Sequence, residues 1–322
     1  MSYLEHARAL YDEAARSPDA SLCCTSAPPW RLPGLAVPLG MLERNYGCGS
    51  TVHPRELADA RRVLYVGVGA GLEALSIAYF VRRPGGVLGV DVSTQMLEVA
   101  AGLLAEARAL NPWLTEDAVE LRRGDALDLP AEDESVDVAA QNCLFNIFVR
   151  EDLDRALREM HRVLRPGGAL LLSDPICEEP IPAALRDDPE LRARCLSGAI
   201  PFDDYVAALV DAGFGTVEVR SRRPYRMLDR RRYPVDENLL LESVEVIARR
   251  DPVPTDGACV FTGRAVIYVG DAPAFDDGKG HVLTRDVPLG VCDKTAGALA
   301  SLGRDDLVLT APTWHYAGDG CC

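Results

Sequence analysis

Apolar positions along the chain change period in a way that divides it into three stretches. Residues 4–16 carry Leu4, Ala7, Leu10, Tyr11 and Ala14 at helical spacing, and the spacing then stops. A Pro- and Gly-rich stretch follows over roughly residues 17–55. It is longer than a plain connection needs, which points to a cover over a site, with Trp30 and its neighbours Pro28, Pro29 and Pro33 expected to pack it onto the body. From residue 56 short apolar runs alternate with helical ones: RRVLYVGVG, a helix from Leu72, GGVLGVD, a helix over 94–110, AVELRRG, SVDVAAQN, a helix over 151–164, and GGALLLSD. Such alternation predicts a mostly parallel, doubly wound α/β sheet with helices on both faces. Residues 183–194 and 202–212 read as helices, and TVEVRSR and LLLESVEVIAR as strands. Past Asp251 the texture turns to short strands and turns, with one helical run, KTAGALASL. The expected organisation is an N-terminal helix and cover (1–55), an α/β domain (56–251) and a small C-terminal α+β domain (252–322).

Composition narrows the function classes. With 322 residues, 48% hydrophobic and 26% charged, the chain reads as globular. Lys+Arg 34 against Asp+Glu 49 leaves a net charge of -15, which repels a phosphate backbone and an anionic bilayer alike. Nucleic acid is not an expected partner, and the arginines between 220 and 232 read as a solvated face. No apolar run approaches the ~18 residues of a membrane span, and the N-terminus lacks a signal peptide's apolar core. A cytoplasmic monomer is expected.

The ten cysteines alter that plain picture. In a reducing compartment they are thiols, so metal, metalloid or redox chemistry is a better expectation than a disulfide framework. Cys23-Cys24 and Cys321-Cys322 are vicinal pairs, whereas Cys259 and Cys292 read as small buried residues and Cys177, near the cleft, as a spectator, a spare ligand or a redox partner. The histidines lack metal-ligand spacing, so no zinc site is expected, and His53 reads as part of a helix start.

Gly67, Gly69 and Gly71 lie where the first strand hands over to a helix. There glycines let the backbone turn tightly and offer N–H groups to a ligand. Asp91 ends the second strand, placed to accept from ribose hydroxyls, and Asp125 follows the third, near an adenine edge. Each acid alone can be a helix cap; together they sit at the carboxyl ends of successive strands. VGVGAG, GVD, GDA and the later LRPGG resemble the S-adenosylmethionine-dependent methyltransferases of Rossmann-like class I fold over about residues 60–175. LRPGG itself reads as helix stop, turn and strand start. Tyr65 departs from that pattern, which often carries an acid two residues before the first glycine, and Glu73 is the candidate substitute.

The fourth strand ends in Ala140-Gln141-Asn142-Cys143-Leu144-Phe145-Asn146. It offers amides, a thiol and apolar groups but no general base, so the acceptor is one that needs no proton removed. Arsenic(III) fits: a soft centre held by thiolates keeps a lone pair that can take a methyl group. Asn45-Tyr46-Gly47-Cys48-Gly49, Asn142-Cys143-x-x-Asn146 and Arg194-Cys195-Leu196-Ser197-Gly198-Ala199 are similar to the three cysteine motifs of arsenite methyltransferases. That resemblance implies Cys143 and Cys195 as arsenic(III) ligands and Cys48 as third ligand or redox partner. It also implies a relay cysteine at Cys23 or Cys24, with Cys24 taken among the candidate catalytic residues, and Asn142 beside the cofactor. It further implies S-adenosylmethionine as cosubstrate, arsenite and methylarsenite as substrates, and a thiol reductant of thioredoxin or glutathione type. The tail, with CVFTGRAVIYVG, FDDGKGH, VCDKTAGALASLGRDD and terminal GDGCC, is similar to the bacterial branch associated with arsenosugar biosynthesis. Two other readings keep the same cofactor residues: methylation of a small organic acceptor, and a thiol-rich arsenic sensor without turnover.

Overall fold

The computed structural model describes residues 2–19, 22 and 32–316. Cys23, Cys24, Trp30 and the Cys321-Cys322 tail lie outside the described residues.

Five strands, β1 (Val63–Val66), β2 (Val87–Asp91), β3 (Val119–Arg123), β4 (Val136–Asn142) and β5 (Leu164–Cys177), run parallel in the order β3-β2-β1-β4-β5. A two-residue strand, β6 (Ile200–Pro201), pairs with the end of β5. The sheet continues beyond β5 through two long strands, β7 (Thr216–Leu228) and β8 (Leu239–Arg249), with β8 inserted antiparallel between β5 and β7. It is therefore the mostly parallel, doubly wound arrangement expected. Central strands such as β1 are buried at every position, as strands covered on both faces must be. Their alternate residues feed two cores: Leu64 and Val66 join Leu157, Met160 and Phe214 on one face, whereas Val63 and Tyr65 join Leu75, Ile77 and Ile247 on the other.

Ten helices flank the strands among the described residues. Near the N-terminus are α1 (Tyr3–Arg16), α2 (Leu39–Glu43) and α3 (Pro54–Leu57); Ser2 and Glu5 close a reciprocal cap on α1. The helices α4 (Leu72–Val81) and α5 (Thr94–Leu110) follow β1 and β2, and α4 is apolar enough to be buried nearly all round. On the opposite face, α6 (Arg150–Val163) buries Leu153, Ala156, Leu157, Met160 and Val163 and turns its charges outward. The helix expected over 183–194 is two helices, α7 (Ala183–Arg186) and α8 (Pro189–Ala193). The break falls where Asp188 caps the second one and Pro189 removes a donor. Then come α9 (Phe202–Asp211) and, near the C-terminus, α10 (Asp293–Ala300). LRPGG lies inside β5, not before it: the strand starts at Leu164 and the register slips past Arg165–Gly168 before pairing resumes at Ala169.

Past residue 251, β9 (Cys259–Phe261) adds a parallel strand to the outer edge of β7. The remaining strands, β10 (Ala265–Tyr268), β11 (Ala274–Asp276), β12 (Val282–Thr284), β13 (Leu289–Gly290) and β14 (Leu307–Leu309), form a three-stranded sheet and a hairpin. The chain then returns to the main sheet. There the Tyr316 N–H donates to Val219 O (2.8 Å), and the Arg222 guanidinium lies 4.4 Å over the Trp314 ring.

His53 starts α3 through its backbone, with no side-chain cap, and its imidazole is buried. Burial pushes that ring down to about 4; Arg220 adds to the effect and Glu56 opposes it. Between its ordinary 6.5 and about 4, only the unfolded chain takes up the proton. Stability from this site is therefore complete above pH 6.5 and is lost as the pH falls toward 4, by at most about 3 kcal/mol. His53→Gln should flatten the fall of the urea midpoint across that window; an unchanged slope would contradict the assignment.

Candidate functional site

Strand order reverses between β1 and β4, and the crevice that reversal opens at the carboxyl ends of the strands holds a cavity of about 310 Å³. Gly67, Gly69, Asp91, Asp125, Asn142 and Cys143 all line it. Gly71 does not; it starts α4 and packs inward against Met41 and Leu104.

Gly67 and Gly69 have φ of 75° and 51°, left-handed values that glycine adopts without strain, and the turn is closed internally by the Gly67 and Val68 N–H groups on Val90 O. The Gly69 N–H donates to Asp91 Oδ2 (3.0 Å) and the Ser93 N–H to Asp91 Oδ1 (2.9 Å). Burial raises the Asp91 carboxyl and these N–H bonds pull it back, so it stands as a fixed acceptor on the cavity wall with a lone pair to spare on each oxygen. Asp125 accepts from the Leu127 N–H (2.9 Å) in a tight local turn.

Elsewhere on the cavity wall Tyr65 is paired with an acid. The Tyr65 hydroxyl donates to Glu73 Oε2 (2.8 Å), and Thr51 donates twice to the same carboxylate, from Oγ1 (2.7 Å) and from its N–H (3.0 Å). Glu73 thus places a carboxylate, from the first turn of α4, beside Tyr65 on the cavity wall.

The cover over the cavity includes an element the sequence reading did not assign to it. Leu4, Ala7, Arg8 and Tyr11 of α1 form its outer wall. The helix is pinned at both ends of the site, by Ser93 Oγ donating to Asp12 Oδ1 (2.5 Å) and by the His6–Glu190 pair (2.9 Å). Its stripe of small and aromatic residues on one face was the available signal.

Three of the motif cysteines come together. Cys48, Cys143 and Cys195 are buried in one cluster with Ala7, Ile147 and Ala193, against the rings of Tyr46 and Tyr225. Cys143 faces the cavity, with Cys48 and Cys195 behind it. Cys195 Sγ donates to Cys143 O (2.9 Å), and Cys48 Sγ lies 3.4 Å from Ser173 Oγ. Cys143 and Cys195 have φ of 60° and 55°, a conformation that costs a residue with a side chain about 1 kcal/mol or more and that collects at functional sites. Asn142 clamps the Cys48 segment: its Oδ1 accepts from the Cys48 N–H (3.0 Å) and its Nδ2 donates to Gly49 O (2.8 Å). A Cβ on Gly47 would fall 2.4 Å from Asn142 Nδ2, so glycine is what admits this approach. Although Asn142 borders the cavity, its amide is committed to the thiol-bearing segment. Among the described residues no three His, Cys, Asp or Glu side chains converge closely enough to hold a metal ion, so the thiols share a cluster without meeting at one point.

The other cysteines are elsewhere. Cys177 lies in a separate apolar cluster, its thiol pushed up to about 12 by burial and then by Asp204 and Glu178, which makes it an inert thiol. Cys259 and Cys292 are buried together in the C-terminal region with Phe261 and Tyr316.

A methyltransferase domain family matches residues 64–172. With the strand order and the glycine–acid cavity above, this makes the protein a class I S-adenosylmethionine-dependent methyltransferase. The crystal structure of an arsenic(III) S-adenosylmethionine methyltransferase from Chlamydomonas reinhardtii superimposes with a TM-score of 0.58 at 26% identity, over 87% of this chain and 95% of that one. An arsenite methyltransferase of Aquipseudomonas alcaligenes is 32% identical over 310 residues, 93% of this chain and 85% of its own. Another, from Halobacterium salinarum, is 36% identical over 173 residues; the match takes in 54% of this chain and 42% of that relative, less than half its length. The chain belongs to the arsenite methyltransferase family.

Asp91→Ala removes the acceptor nearest the turn and also frees the Gly69 N–H. Affinity for S-adenosylmethionine measured by calorimetry should fall about 10- to 100-fold, the scale of lost charge-assisted hydrogen bonds. An affinity within twofold of wild type would reject the placement.

Proposed function

We propose that the protein methylates trivalent arsenic, taking arsenite and then methylarsenite as substrates and S-adenosylmethionine as methyl donor. The observation that carries this is the position of Cys143 on the wall of the cofactor cavity, with Cys48 and Cys195 packed directly behind it.

The cavity suits the donor. Asp91, Asp125 and Glu73 all line it with carboxyl oxygens. When bound, S-adenosylmethionine supplies an electrophilic methyl on a sulfonium. The chain's own residues then hold the arsenic. Each thiol that binds gives its proton to a hydroxide leaving arsenite as water, so formation of the As–S bonds needs no separate base. Arsenic keeps its lone pair, and Cys143 sets it at the cavity wall, where Leu144, Ile147 and Phe148 exclude water. Since no proton leaves the nucleophile on methylation, the step requires no general base, and Glu73 on the cavity wall is held by Tyr65 and Thr51.

Forming the As–C bond raises arsenic formally from the trivalent to the pentavalent state. Two electrons return when two thiolates join as a disulfide, which leaves a trivalent methylated product. Cys48, with Cys23 or Cys24, is the pair proposed for that step, and a thioredoxin- or glutathione-type reductant restores the thiols. A reducing cytoplasm fits such a cycle.

Purified protein incubated with arsenite, S-adenosylmethionine and a thiol reductant should yield methylated arsenicals and S-adenosylhomocysteine in equal amounts, separated by chromatography with element-specific mass detection. Cys143→Ser and Cys195→Ser should each lower methylation by at least about 100-fold, since a hydroxyl is a poor ligand for a soft centre, and leave cofactor affinity unchanged. Full activity in both variants would overturn the ligand assignment. Arsenite binding without turnover would favour a sensor, and methylation of an organic acceptor alone would favour the other reading.

A further inference from the structure

The mechanism leaves one fully buried charge unused. Asp174 lies near the end of β5, 0% exposed, directly beneath the turn that follows β4. We propose that Asp174 is a positioning residue that holds Cys143 in its arsenic-binding conformation by fixing the turn from Gln141 to Asn146. The inference rests on the reading of Cys143 as an arsenic ligand.

The contacts converge on that turn. Asp174 Oδ2 accepts from Gln141 Nε2 and from the Tyr205 hydroxyl, the latter at 2.5 Å. Asp174 Oδ1, also buried, has no hydrogen-bond partner among the described residues, so the grip on the turn runs through Oδ2. Gln141 uses its other amide atom to hold the turn as well, its Oε1 accepting from the Leu144 N–H (2.9 Å). The residues on either side of Asp174 complete the grip. Ser173 O accepts from the Cys143 N–H (2.7 Å), and Pro175 O accepts from Asn146 Nδ2 (2.6 Å). Three consecutive residues of β5 thus act as a template for the six residues centred on Cys143.

The template is needed because the conformation it holds is an unfavourable one. With φ at 60°, Cys143 is in the left-handed region, and a turn released from β5 would relax to an ordinary φ and carry Sγ with it. Burial pushes the Asp174 carboxyl up to about 7, opposed by the bonds from Tyr205 and Gln141, so the buried group depends on these two donors for its place. Supporting groups of this kind usually alter affinity for the bound ion by 10- to 100-fold when removed.

The test compares Asp174→Asn, Tyr205→Phe and Cys143→Ser. Arsenite binding is measured on the reduced protein without S-adenosylmethionine, by equilibrium dialysis with element-specific mass detection, and cofactor affinity by calorimetry. Asp174→Asn turns an amide donor toward the converging donors. It should raise the arsenite dissociation constant about 10-fold and the KM for arsenite in parallel, leaving cofactor affinity within about twofold. Tyr205→Phe keeps the ring in the core and removes one donor, so a rise of about threefold is expected, and it decides the matter alone should Asp174→Asn fail to fold. If Tyr205→Phe and any folded Asp174→Asn bind arsenite as wild type does and Cys143→Ser does not, the positioning role is overturned and the ligand assignment stands. A parallel loss of arsenite and cofactor affinity would mean a general structural role and also overturn it. Wild-type arsenite binding by Cys143→Ser would overturn both.

Discussion

Parallel pairing of the first five strands is the constraint from which the rest follows. Parallel neighbours need crossover helices, and in this sheet those helices lie on both faces, so the order must reverse somewhere; it reverses between β1 and β4. At that point the two strand ends part and the helices that follow diverge. The crevice receives the glycine turn from β1, Asp91 from β2, Asp125 from the loop after β3 and Cys143 from the loop after β4. Cofactor residues and thiol are thus neighbours in space because of strand order alone, although Gly67 and Cys143 are far apart in the chain.

Under the proposed function the thiols face two opposed demands: they have to be dry, so that water does not compete for the arsenic, yet one of them must face the cofactor. The cluster meets both demands by layering. Cys143 forms part of the cavity wall, and Cys48 and Cys195 sit behind it under α1, α8 and two tyrosine rings. Cys177 shows the contrast: equally buried, it has acids rather than the cavity for neighbours, and its thiol is held protonated. Burial alone therefore does not distinguish a working cysteine from an inert one; access to the crevice does.

How far the sequence foretold this differs by element. The alternation of apolar strands with helices was enough for the sheet, because buried parallel strands leave a strong and simple signature. The same was true of α6, whose charged and apolar faces separate cleanly. The three cysteine motifs could be read as one site only through resemblance, since spacing alone does not say that Cys48, Cys143 and Cys195 meet. Other features were hidden for physical reasons. The break between α7 and α8 depends on Asp188 acting as a cap, one of several roles an aspartate can take. The left-handed φ of Cys143 and Cys195 is invisible because the sequence offers no glycine there. Asp174 looked like the end of a strand, and its role as acceptor depends on Gln141 and Tyr205, which are distant in the chain.

The pairing of Tyr65 with Glu73 has a structural consequence beyond the cavity wall. Glu73 is held by Thr51, three residues past Cys48, and the adjoining Ser50 N–H donates to Glu245 Oε1 (3.1 Å). Burial raises the Glu245 carboxyl, with Glu73 adding to the rise and the Ser50 N–H and Arg223 opposing it, so two mutually repelling acids grip the same short segment from opposite sides. That segment carries Cys48, clamped at its other end by Asn142. Glu73 on the cavity wall and Asn142 beside Cys143 are therefore joined through the backbone of residues 49–51, held by Thr51 on Glu73 at one end and by Asn142 Nδ2 on Gly49 O at the other. A change in how Glu73 is occupied acts on a carboxylate that already holds the Cys48 loop.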